Sequence, residues 1–163
     1  SDGIQHPSNW MIWDDETKAA RGLVWEDDPA NFDGRFYWSA GVARSLDDVN
    51  EVDADGNAIM EDGNQLVTLG LKSNAIATVK AQAGGMLAPT DWMVIKAAEV
   101  ADYSVPSATL TYRAAVRTAS NTIEAAITAV TTLDAFIALY DAPVDADGNP
   151  TDNAPINDWP DEA

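Results

Sequence analysis

The chain has 163 residues, 27 acids against 9 bases, one histidine and no cysteine, which suits one domain or two small ones and excludes a disulfide framework, a thiolate metal site and a cysteine nucleophile. A net charge of −18 repels nucleic-acid backbones and anionic membranes alike, so neither is expected as a partner. No apolar run reaches the roughly 18 residues that span a bilayer, and Ser1-Asp2-Gly3 lacks the basic and apolar regions of a signal peptide; a soluble, acidic, non-secretory protein is expected.

Charge and side-chain size change along the chain together. Residues 1–70 carry 15 acids and 4 bases, 71–140 carry 5 of each, and 141–163 carry 7 acids and no base. Seventeen of the 28 alanines fall in the middle block, whereas Trp10, Trp13, Trp25 and Trp38 fall in the first. The expectation is an α+β chain: a small antiparallel β-rich N-terminal head over 1–70, an antiparallel helical hairpin as body over 71–140, and an extended acidic, Pro-rich tail over 141–163.

In the head, the aromatic runs Asn9–Trp13 and Gly34–Trp38 are bounded by Asp, Asn, Pro and Gly and read as short strands. Asp55-Gly56-Asn57 and Asp62-Gly63-Asn64 read as tight turns, with Gln65–Leu69 returning as a strand. In the body, Ile76, Val79, Ala83 and Met86 form an apolar stripe over 71–87. Gly84-Gly85 and Pro89 predict an end to that helix, and Thr90 with Asp91 predicts a fresh cap for a short helix over 91–100. Pro106 suits the first turn of a helix over 107–130, whose seam reads Tyr112, Val116, Ala119, Ile123, Ala126 and Val130. Thr132 predicts the cap of a last short helix through Tyr140. The tail repeats a phrase of the head, Val52-Asp53-Ala54-Asp55-Gly56-Asn57 returning as Val144-Asp145-Ala146-Asp147-Gly148-Asn149. This reads as one turn solution used twice.

Catalytic and metal chemistry finds little support. Counted from Asp53 or from Asp145, the glycine falls fourth where a helix–loop–helix calcium site needs it sixth, and position twelve is Asn64 or Ile156 where a bidentate glutamate belongs. His6 has no identifiable nucleophile or orienting group, and no phosphate-cradling loop, zinc-ligand helix or serine elbow is present. No enzyme, metal or cofactor is expected. The head tryptophans have two readings. The leading one makes them core filling for a small sheet; the other stacks Trp10, Trp13 and Trp38 on sugar rings, as a carbohydrate-binding host-recognition module would. Arg113 and Arg117, four residues apart, are expected to bind acids of the head and tail.

Ala88-Pro89-Thr90-Asp91-Trp92, followed by Tyr112-Arg113-Ala114-Ala115-Val116-Arg117 and closed by Asp158-Trp159-Pro160, resembles the pattern of tail-fibre assembly and tail-associated proteins of tailed bacteriophages over about residues 72–160. The resemblance implies a protein that helps a fibre or tail protein fold and trimerise, in the host cytoplasm during assembly or retained in the virion tail. It also marks Trp92, Tyr112, Arg113, Arg117 and Trp159 as structural or interface residues. The narrow alanine-rich seam can meet a helix of its own chain, of a second copy or of a fibre partner. Trp159 is expected to pin the tail on the body near Trp92 or Tyr112, with Asp158 and Asp161 reaching Arg113 or Arg117.

Overall fold

The computed structural model describes residues 8–23 and 30–161; His6 and Trp25 lie outside them. Two compact units form, residues 1–32 and residues 33 onward. In the first, Trp10–Ile12 is a single 3-10 turn and not the expected strand. Among the described residues a strand there has no neighbour to pair with, and Asp14 instead caps a helix that the sequence pattern did not reveal, α1 (Asp15–Ala20), by accepting from the Thr17 amide at 2.7 Å.

The second unit is α+β, as its pattern predicted. Three two-stranded antiparallel ladders stand in place of one sheet: β1 (Tyr37–Ser39) with β2 (Val42–Ala43), β3 (Val49–Asn50) with β6 (Val67–Thr68), and β4 (Met60–Glu61) with β5 (Asn64–Gln65). The innermost hairpin turns through Asp62 (φ 48°) and Gly63 (φ 80°), the left-handed pair that a two-residue hairpin needs.

Helix α2 (Leu71–Glu99) runs unbroken through Pro89, where two helices were expected. Proline leaves the Gly85 carbonyl without its amide donor, but Gly85 is exposed, so water can take that bond. The next residue, Thr90, lies inside α2 with its Oγ1 donating back to the Leu87 carbonyl at 3.0 Å, so it does not cap a new helix. Helix α3 (Ser107–Ala129) follows Pro106, and α4 (Leu133–Ala138) is capped by Thr132, which accepts from the Ala135 amide at 3.2 Å.

Contacts of Arg113 with residues 87–91 and of Glu124 with Lys80 fix α2 and α3 as antiparallel neighbours. The buried line of α3 is Arg113, Val116, Ser120, Ile123 and Ile127. The expected seam shared only Val116 and Ile123 with it, because hydrophobicity alone passes over an arginine and a serine that find partners inside. The core proper joins Phe36, Leu71, Ala75 and Val79 to Ile123, Ile127, Phe136 and Ile156. Phe36 meets the Phe136 ring edge-on at 6.1 Å and the Tyr140 ring at 5.2 Å. Ile156 belongs to this core, so the tail is a packed part of the unit.

The β-rich segment also feeds the start of α2. The amides of Leu71 and Lys72 donate to the Ser45 and Leu46 carbonyls at 2.9 and 3.0 Å, and that of Gly70 donates to Asp48 Oδ1 at 2.8 Å. These are donors that a helix N-terminus leaves without intrahelical partners. Among the described residues no helix is long and apolar enough to cross a membrane.

Candidate functional site

Three stretches distant in sequence meet on α3. Arg113 is 5% exposed, and its position in the buried line of α3 sends the guanidinium across to α2. There Nη1 donates to the Leu87 carbonyl at 2.8 Å and to Thr90 Oγ1, while Nη2 pairs with Asp91 Oδ1 at 2.7 Å. A buried guanidinium is tolerable here because three of its five donors are bonded, two to neutral oxygens and one to a carboxylate. The acid that it binds is in the body; the head and tail acids expected for it are not used. Arg117 does not join a clamp. It is exposed, its one hydrogen bond runs to the Arg113 carbonyl at 3.4 Å, and it forms no ion pair among the described residues.

The opposite flank of α3 carries small side chains, and the tail lies along it. Ala115, Ala119, Thr122 and Ala126 face Pro155, Trp159 and Pro160 across a groove of about 630 Å³. At its upper end Tyr112 and Ala115 line a second recess of about 430 Å³ with Pro160 and Asp161. Trp159 is half-buried and packs on the edge of the core, where its Nε1 is buried and has no hydrogen-bond partner among the described residues. Trp159 therefore rests on the body, at the core edge, while the tail residue that shares a recess with Tyr112 is Pro160. The expected charge contacts do not form: among the described residues neither Asp158 nor Asp161 forms an ion pair, and Arg113 is taken by Asp91.

Trp92 lines neither the groove nor the recess and is 52% exposed. Its ring leans on Tyr103 at 6.4 Å, with Lys96 Nζ 4.4 Å from the Tyr103 centroid. Val94, Ile95, Val100 and Leu110 are exposed in the same part of the hairpin.

The tryptophans of the sugar reading do not share one unit. Trp10 is exposed and Trp13 half-buried beside the Arg21 guanidinium, 5.6 Å from its ring, both in the first unit. Trp38 is in the second, 60% exposed, with the Arg44 guanidinium 4.1 Å from its ring centroid.

The two Val-Asp-Ala-Asp-Gly-Asn phrases do form one turn twice. Asp53 Oδ1 accepts from the amides of Asp55 and Asn57 at 2.9 and 2.8 Å, and Asp145 Oδ1 from those of Asp147 and Asn149 at the same distances. Gly56 and Gly148 supply φ of 85° and 84°. The amides of Asn57 and Asn149, then their side-chain amides, hold both carboxyls below the ordinary aspartate range. Each carboxylate is thus occupied by its own loop, and among the described residues no group of three or more His, Asp or Glu is placed to hold a metal ion.

Fold and site define an α+β chain whose conspicuous features are a helical hairpin locked by a buried arginine and a tail laid along it. In comparisons with known proteins, no family model, no curated protein and no solved structure matches it.

Proposed function

We propose that the chain is a non-enzymatic component of a bacteriophage tail or tail fibre that works by binding a fibre or other tail protein, as an assembly chaperone or as a part retained in the virion. One observation carries this reading: the three segments on which the resemblance rests all make contacts through α3, residues 87–91 on one flank and the tail on the other. Arg113 bonds to Thr90 and Asp91, and its neighbour Tyr112 shares a recess with Pro160. A pattern scattered over about 70 residues then has a common physical cause, the locking of a hairpin and its tail. The exposed Trp92, Ile95, Val100 and Leu110 supply the kind of apolar surface through which proteins bind partners. Surplus negative charge steers such a surface toward a basic partner.

The test is mass spectrometry on two samples: purified virions, and proteins captured with the tagged chain from infected cells. A tail or fibre subunit should be captured, and capture should fall with Trp92→Ala. Presence of the chain in virions distinguishes a retained part from a released chaperone. Failure to capture any tail subunit, with the chain absent from virions, overturns the proposal.

A further inference from the structure

Trp38 lies where a core tryptophan would not. More than half of it is open to solvent, although its neighbour Tyr37 packs against the core. It forms one wall of a cleft of about 300 Å³ shared with Arg44, Ser45, Glu51, Thr68 and Asn74, the low end of ligand-sized clefts, roughly 300–1,000 Å³.

The polar groups of this cleft retain unused bonding capacity. Arg44 forms no ion pair among the described residues, in a chain with three acids for every base. Its guanidinium lies on one face of the Trp38 ring, 4.1 Å from the centroid, and the hydrogen bonds it makes to the carbonyls of Gly34 and Arg35 are long, 3.5 Å each. Glu51 lines the same cleft without pairing with Arg44. One of its carboxylate oxygens accepts from Thr68 Oγ1 at 2.6 Å, and the other has no hydrogen bond among the described residues. Asn74 donates its amide to the Leu69 and Gly70 carbonyls, which leaves its side-chain oxygen as an acceptor. The cleft therefore combines a flat aromatic wall, a fork of donors and two acceptor oxygens, with one positive and one negative charge that cancel.

We infer that this cleft binds one ring of a neutral glycan. A pyranose has an apolar C–H face that an indole can cover and a rim of hydroxyls that each donate and accept. Both partners are present here, and no excess charge in the cleft calls for an ionic ligand. An acidic sugar would meet Glu51 and the net charge of −18. The lining of this cleft comes from the second unit, and the site goes beyond the proposed tail function and stands without it.

The test presents the full chain to an array of neutral oligosaccharides of glucose, galactose and N-acetylglucosamine, with sialylated and uronic-acid glycans beside them. Any neutral glycan retained is then titrated while the Trp38 indole N–H resonance is followed. Trp38→Ala should weaken binding by about tenfold or more, as loss of a stacking wall implies, and Glu51→Gln should weaken it severalfold. Trp10→Ala should leave binding unchanged. The wild-type indole resonance should shift on titration, a readout that does not depend on how the variants fold. Retention of no neutral glycan, retention of acidic glycans alone, or binding that survives Trp38→Ala overturns the inference. None of these outcomes bears on capture of a tail subunit.

Discussion

Replacing Gly70 with alanine should cost far more than a single methyl group suggests. The backbone there has φ −73° and ψ 174°, which alanine adopts freely, so the penalty is steric and not conformational. An added Cβ would stand 2.5 Å from the Leu46 carbonyl oxygen and 2.6 Å from that of Asp47, and closer still to the Asp47 carbonyl carbon. Non-bonded heavy atoms settle near 3.5 Å, so the two backbones must part by about 1 Å. The segment that has to move, residues 45–48 between β2 and β3, is the one that receives the first amides of α2. Overpacking of this kind costs about 1–3 kcal/mol, and losing one or two of those hydrogen bonds adds about 1 kcal/mol each. The reduced entropy of the unfolded alanine chain returns about 0.4–1 kcal/mol, leaving a loss of about 3 kcal/mol. Gly84→Ala is the control. It sits inside α2 with no atom within 4 Å of an added Cβ, and alanine there should stabilise the chain by about 0.5–1 kcal/mol. Urea unfolding of both variants, followed by far-ultraviolet circular dichroism, gives the comparison. If Gly70→Ala falls within about 0.5 kcal/mol of wild type, the close approach of the two backbones is not what joins the β-rich segment to α2.

Arg113→Ala should destabilise by about 3 kcal/mol, since it removes three hydrogen bonds and opens a buried space, whereas Asp91→Asn should cost about 0–1 kcal/mol because that carboxylate is already half in water; denaturant melts giving equal losses would refute this ranking. Trp159→Ala should cost about 2 kcal/mol and open residues 141–161 to protease, while Trp159→Phe should be nearly neutral because the lost Nε1 has no partner. Limited proteolysis with mass mapping checks it, and equal protection of wild type and Trp159→Ala would refute docking of the tail. Asp53 and Asp145 have depressed folded-state values, so the stability that they contribute is present above the ordinary aspartate value of about 3.9 and is lost as pH falls through the lower folded value. Amide resonances of Asn57 and Asn149 followed from pH 6 downward should move below pH 4 and in parallel; midpoints at the ordinary value would show that the turns do not hold their carboxylates.

The sequence by itself determined what depends on neighbouring residues. A cap such as Thr132, the left-handed Asp62-Gly63 turn and the repeated Asp-Ala-Asp-Gly-Asn loop each close their bonds within five residues, so their chemistry is visible in a short window. The α+β class followed from the same local signals added along the chain. Tertiary structure decided whatever needed a partner from elsewhere. Pro89 reads locally as a helix end, yet α2 runs through it, with Arg113 of α3 bonded to Leu87 before the proline and to Thr90 and Asp91 after it. Arg113 reads as a partner for acids of the head and tail, yet it is buried against α2, where residues 87–91 satisfy it. Asp158 and Asp161 read as its partners, yet Asp91 reaches it first. A short aromatic run became a strand at Tyr37, where Ala43 pairs with it, and a 3-10 turn at Trp10. Whether a buried charge is satisfied and whether a strand finds an edge are properties of contacts between distant segments, and only the folded chain brings those segments together.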